Sequence, residues 1–229
     1  MIMDTALSKI IDRISETLNF FDFSFIVSGL VTFGIVYCSI NNIYTFDISG
    51  YSKTAIIIAI IVLVYVCGLV SFSMGKWLRL KMLYIWNKEY FNDVFNKALS
   101  FVNSDPYSVN EEISKYLDAD FSKDKYNGVY SKMWLDLRHC EEAKDTIRHL
   151  NRFWMMQAVY EGLFTSSIIG LLSSFYFWCD KDSGYFIITF IIAIISSFFC
   201  SLEAKRYAET QIWEVVIAYK KFIVGNNNQ

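Results

Sequence analysis

The feature that most limits what this chain can become is the stretch from Trp154 to Trp178, 25 residues that are almost all apolar. A helix rising about 1.5 Å per residue over that length crosses a hydrocarbon core of roughly 30 Å. The backbone there finds hydrogen-bond partners only within the helix itself, so the stretch predicts a membrane-spanning helix. Gly162, Ser166, Gly170 and Ser174 recur along it at every fourth residue, placing four small side chains on one stripe. Helices in lipid pack through such stripes because small residues let two backbones approach closely. One position before the first glycine stands Glu161, a carboxylate about two turns inside the apolar run. Charge at that depth is costly unless it is paired, protonated or wetted. Two readings of Glu161 stand side by side. In one it lines an ion pathway, takes up a proton or senses a partner; in the other it snorkels to the interface or pairs with a base such as Arg152, Lys76 or Arg79.

Three further apolar stretches run from Phe21 to Ile40, Thr54 to Met74 and Tyr185 to Leu202. With 54 % hydrophobic and 18 % aromatic residues the chain exceeds an ordinary soluble domain, and the excess lies in these blocks. The expected fold class is all-α: an integral membrane protein with four transmembrane helices as two hairpins, the helices extended into a helical cytoplasmic region. Of the 21 lysines and arginines, 13 fall between the second and third spans, whereas the two short loops hold only Lys53 and Lys181. The positive-inside bias then puts both termini and the central segment in the cytoplasm. Residues 1–20 form an amphipathic helix on this reading, lying at the bilayer interface or packed against the protein's own cytoplasmic helices. Residues 21–74 make the first hairpin, 75–153 the cytoplasmic region, 154–202 the second hairpin and 203–229 a cytoplasmic helix and tail.

Within the first segment Leu7, Ile10, Ile11, Ile14 and Leu18 share a helical face. The second span is expected to continue towards Phe101, stopped by Ser104, Asp105 and Pro106. Ser108 and Glu111 have capping-box spacing for a short helix, and a polar turn runs from Asp118 to Gly128. A further helix from Val129 to Phe153 is expected to enter the third span without a break.

Catalytic signatures are missing. The sequence has no Walker loop, no G-x-G-x-x-G, no G-x-S-x-G and no H-E-x-x-H, so no enzyme activity and no cofactor are expected. His139 and His149, ten residues apart, do not share a helical face, so no metal site is expected. The near-balanced charge, 21 basic against 23 acidic residues, offers no field for direct nucleic-acid binding. Cys38 and Cys179 fall near the outer ends of their spans, where either a disulfide or two buried thiols fits. Trp86, Trp134, Arg148 and Arg152 mark a possible surface for a cytoplasmic protein partner; the bland reading is a solvated face with packed aromatics.

The run Arg148, Arg152, Phe153 leading into the third span, and Lys205, Arg206, Tyr207 after the fourth, resemble small bacterial four-span membrane proteins of anti-phage defence operons. That resemblance implies a multi-pass protein of the bacterial inner membrane, assembled as a homo-oligomer. It also implies action by disturbing the bilayer as a channel-like component, or as a scaffold or sensor that recruits a cytoplasmic partner without conducting ions. No family motif is transferred residue by residue.

Overall fold

A computed structural model describes residues 20–44, 50, 52–87, 89–103, 125–181 and 184–224. The described residues form six α-helices and no strand. They are α1 (Phe20–Ile43), α2 (Lys53–Trp86), α3 (Tyr90–Asn103), α4 (Lys125–His139), α5 (Lys144–Lys181) and α6 (Gly184–Tyr219). The expected helix over residues 4–18, the Ser108–Glu111 capping box and the tail from Asn226 lie outside the described residues.

Four of these helices are long and apolar enough to cross a membrane, and the chain is a multi-span membrane protein. Their outward faces explain the assignment. Ile57, Ile58, Ile60, Ile61, Val62 and Leu63 are exposed on α2, and only 6 % of the apolar window of α6 is buried against the rest of the chain. Surfaces of that size are incompatible with water and are covered by lipid. Three of the four helices exceed what a bilayer requires. At 38 residues, α5 is about 57 Å long, almost twice the hydrocarbon thickness.

The chain divides into two compact units. The first comprises residues 1–77 and 158–202, the second residues 78–157 and 203–229. Helices α2, α5 and α6 contribute residues to both.

The second unit has its own apolar core. Phe95, Ala98, Leu99 and Val102 lie along one face of α3, packed with Met133, Trp134 and Leu137 of α4, Leu150 of α5, and Ile212, Val215 and Val216 of α6. The spacing in α3 is that of an amphipathic helix, whose burial rather than propensity holds so short a segment helical. The Lys220 ammonium closes the end of α3 by donating to the Val102 carbonyl. The Tyr219 hydroxyl donates to Asp136 at 3.4 Å, tying the end of α6 to α4.

Two helices expected to be continuous are broken. The second span ends at Trp86 instead of running to Phe101, because Asn87 turns the chain. Its carboxamide oxygen accepts the Glu89 amide at 2.8 Å, and its amide nitrogen donates to Asp93 at 2.8 Å. An asparagine satisfying nearby groups in this way competes with helix. The helix leading into the third span is interrupted as well. Cys140 is extended, with φ −85° and ψ 113°, and a short 3₁₀ turn over Glu141–Ala143 precedes α5. Helix α4 also begins at Lys125, so the polar turn is shorter than expected.

Candidate functional site

The densest polar arrangement in the first unit is a seam of hydroxyls where α1, α2 and α5 meet. Thr32 on α1 is its hub. Its Oγ1 lies 2.7 Å from Ser71 Oγ on α2 and 2.7 Å from Ser166 Oγ on α5. Thr165 Oγ1 donates to the Ser71 carbonyl at 2.8 Å, and Ser166 Oγ donates to the Gly162 carbonyl at 2.9 Å. Ser28 donates to the Ser24 carbonyl at 3.1 Å. All of these side chains are buried. Each hydroxyl of this seam is thereby satisfied without water, by a neighbouring helix or by its own preceding turn.

Glycines set the closeness that these bonds require. An added Cβ at Gly29 would fall well inside 3.0 Å of the Val64 carbonyl oxygen. The same holds at Gly68 against the Phe25 carbonyl and at Gly75 against the Glu161 carbonyl. At Gly162 the added atom would meet Ser28 Cβ. Real Cβ atoms do not approach so near, so no other residue fits at these four positions without moving a helix.

The stripe read from the sequence is divided in two by the structure. Gly162 and Ser166 are buried within the seam, whereas Gly170 and Ser174 line a separate groove beside α1 and α6. At Gly170 an added Cβ would find only ordinary contacts, 3.6 Å to Ile35 Cδ1 and 3.7 Å to Ala193 Cβ. Glu161 is 1 % exposed, so its side chain is held inside the protein and does not snorkel. Its backbone carbonyl borders Gly75 and accepts Thr165 Oγ1 at 3.5 Å.

The suggested partner surface is not one patch. Trp134 is only 7 % exposed, its ring stacked on Trp154 at 5.7 Å with the Arg138 guanidinium 5.4 Å above it, so it serves the core of the second unit. Burial there follows from its position beside Met133 and Leu137 on the inward face of α4. Arg148 and Arg152 are exposed on α5, and Arg148 pairs with Asp145 at 3.1 Å. The side chains of Trp86 and Cys179 are outside the described set; Cys38 is exposed on α1. Outside the spans, burial pushes the Tyr130 phenol up to about 12. Among the described residues no three His, Cys, Asp or Glu side chains converge as metal ligands.

The sequence reading did not single out Ser24, Ser28 and Thr32, nor Gly68, Ser71 and Gly75. Both sets carry the same kind of signal as the α5 stripe, small residues three or four apart within an apolar run.

No family model matches the chain, and no curated protein or solved structure matches it either.

Proposed function

We propose that this is a non-enzymatic component of a bacterial antiviral defence system. In this reading its membrane unit is a closed, non-conducting anchor, and its second unit recruits a soluble partner on the cytoplasmic side. The observation that carries the proposal is the direction in which polarity faces. The seam hydroxyls of α1, α2 and α5 are buried, with Thr32 bonded to both Ser71 and Ser166, glycine contacts close the seam, and the outward faces of α2 and α6 are aliphatic. A conducting path needs polar groups around an aqueous lumen, and this arrangement supplies them only to itself.

The defence context rests on the resemblance, and the two segments that carry it adjoin in the second unit. Phe153 and Tyr207 have ring centroids 6.1 Å apart, and the Lys205 ammonium sits 4.7 Å above the Tyr90 ring. Arg148 and Arg152 remain exposed nearby in sequence and supply the charge by which an acidic partner surface is recognised.

Proteoliposomes test the proposal directly. The protein should hold an imposed ion gradient as long as protein-free vesicles do. Extraction in mild detergent should retain a stoichiometric soluble partner, lost when Arg148 and Arg152 are both changed to Glu. A steady leak from vesicles would instead support a channel-like oligomer. That second reading is favoured by one observation: the seam between α5 and the α1–α2 pair is polar on both sides, with Thr32 and Ser71 bonded to Ser166 and Thr165. A tag inserted at Lys53 should report the opposite membrane face from one at Lys123.

A further inference from the structure

A groove of about 370 Å³ runs along the first unit between α1, α5 and α6. Every residue that lines it belongs to a helix long and apolar enough to cross a membrane. We propose that the groove holds one acyl chain of a bilayer phospholipid.

The chemistry of the walls selects this occupant. Six hydroxyls border the groove, and four of their protons are spent within the protein. Ser39 donates to the Ile35 carbonyl at 2.7 Å and Ser167 to the Leu163 carbonyl at 2.9 Å. Ser174 donates to Thr189 at 3.0 Å, and Thr189 to the Phe186 carbonyl at 3.0 Å. A polar ligand would find those four donors taken, and most of the remaining wall is the apolar surface of residues such as Val31, Ile35, Phe177 and Ile192. Hydrocarbon asks for nothing more.

Size and continuity point the same way. The α5 stripe that is closed at Gly162, where an added Cβ would fall well inside 3.0 Å of Ser28 Cβ, opens at Gly170, where it would meet only ordinary contacts from α1 and α6. At about 30 Å³ per heavy atom, the share a water molecule takes, the space accommodates on the order of twelve carbons in a thread. A single turn of helix, about 10–12 Å across, takes up about 400–600 Å³, more than the groove holds. Left empty in a bilayer, the groove would forfeit dispersion contacts along its length. This inference rests on the four spans alone, and holds whether or not a soluble partner is recruited.

The test uses the full chain in nanodiscs of phosphatidylethanolamine and phosphatidylglycerol, with a trace of phospholipid carrying a photoreactive group along one acyl chain. Photolabel is expected on the recessed walls, at Ser174 and Phe177, which are buried from the surface, as well as on the open Ile57–Leu63 face. Gly170→Leu from one wall and, separately, Ala193→Phe from the other should each lower labelling at Ser174 and Phe177 about tenfold. That is the loss expected when two methylenes lose their burial. Labelling of Ile57–Leu63 should be unchanged, and this reports that either variant is folded. Wild-type label confined to the open faces would overturn the proposal. So would recessed labelling that rises only when nanodiscs are diluted to one copy each, since that would mean a second copy covers the groove.

Discussion

Gly29 and Gly34 lie on the same helix five residues apart, and the same substitution at the two positions separates helix contact from helix propensity. Replacing either glycine by alanine gains about 1 kcal/mol of intrinsic helix preference, so that contribution cancels in the comparison. At Gly34 nothing lies within 4 Å of the added Cβ. At Gly29 the new atom stands 2.9 Å from Gly68 N, 0.5 Å short of the 3.4 Å at which ordinary contact begins, and nearer still to the Val64 carbonyl. Both obstacles are backbone, so relief requires α1 and α2 to part. Overpacking of this kind costs about 1–3 kcal/mol. Parting the helices also stretches the 2.7 Å bonds that Thr32 makes, one turn away, to Ser71 and Ser166, at about 0.6 kcal/mol each in a membrane protein. Gly29→Ala should therefore be less stable than Gly34→Ala by about 3 kcal/mol, more than a hundredfold in the unfolding equilibrium. Reversible unfolding in mixed micelles of dodecyl maltoside and dodecyl sulfate, followed by far-ultraviolet circular dichroism, measures the difference. Two variants that agree within about 0.5 kcal/mol, the spread of substitutions that touch nothing, would refute the close approach of α1 and α2.

Thr32→Val keeps the shape of the hub and removes its hydroxyl, and should cost about 1 kcal/mol in the same assay, with Thr32→Ser restoring most of it. Leu137, fully buried in the second unit, should lose about 2–5 kcal/mol on truncation to Ala, whereas Leu135, exposed on the same helix, should change by less than about 0.5. Tyr130 predicts a pH dependence. Its folded pKa, about 12, lies above the ordinary 10.0, so its contribution is complete below pH 10 and is lost as pH rises through 12. The shift corresponds to roughly 3 kcal/mol. Wild type should lose stability over that window relative to Tyr130→Phe, and its last phenolate absorbance should appear only near the upper end; parallel stability curves would contradict the burial.

The spans could be read from the sequence because apolar runs of twenty residues have few alternatives. Gly162 and Ser166 could be read as packing residues for a similar reason. Their partners could not be assigned, since Ser28, Thr32, Gly68 and Ser71 lie on helices whose remaining surface is uniformly apolar and gives no preference for one neighbour over another. The breaks at Asn87 and Cys140 were hidden for different causes. Asn87 acts through its own side-chain bonds, a signal that is present but weak without knowing where the chain must turn. Cys140 carries no local signal, as neither it nor Glu141 disfavours helix as proline or glycine would. Trp134 showed the opposite difficulty: an aromatic among charges suggests a surface, yet its face of α4 is the one that packs inward.

A hydroxyl carries a single proton, and this gives the Thr32 hub a sense of travel. If Ser166 gives its proton to the Gly162 carbonyl, it accepts from Thr32 at 2.7 Å; if it gives it to Thr32, Thr32 donates onward to Ser71. In the first case Thr32 has used its own proton and accepts from Ser71. The three O–H groups therefore align head to tail in one sense or the other across α2, α1 and α5, and each polarises the next. Reversing any one of them obliges the others to turn as well, so three helices share one orientational state.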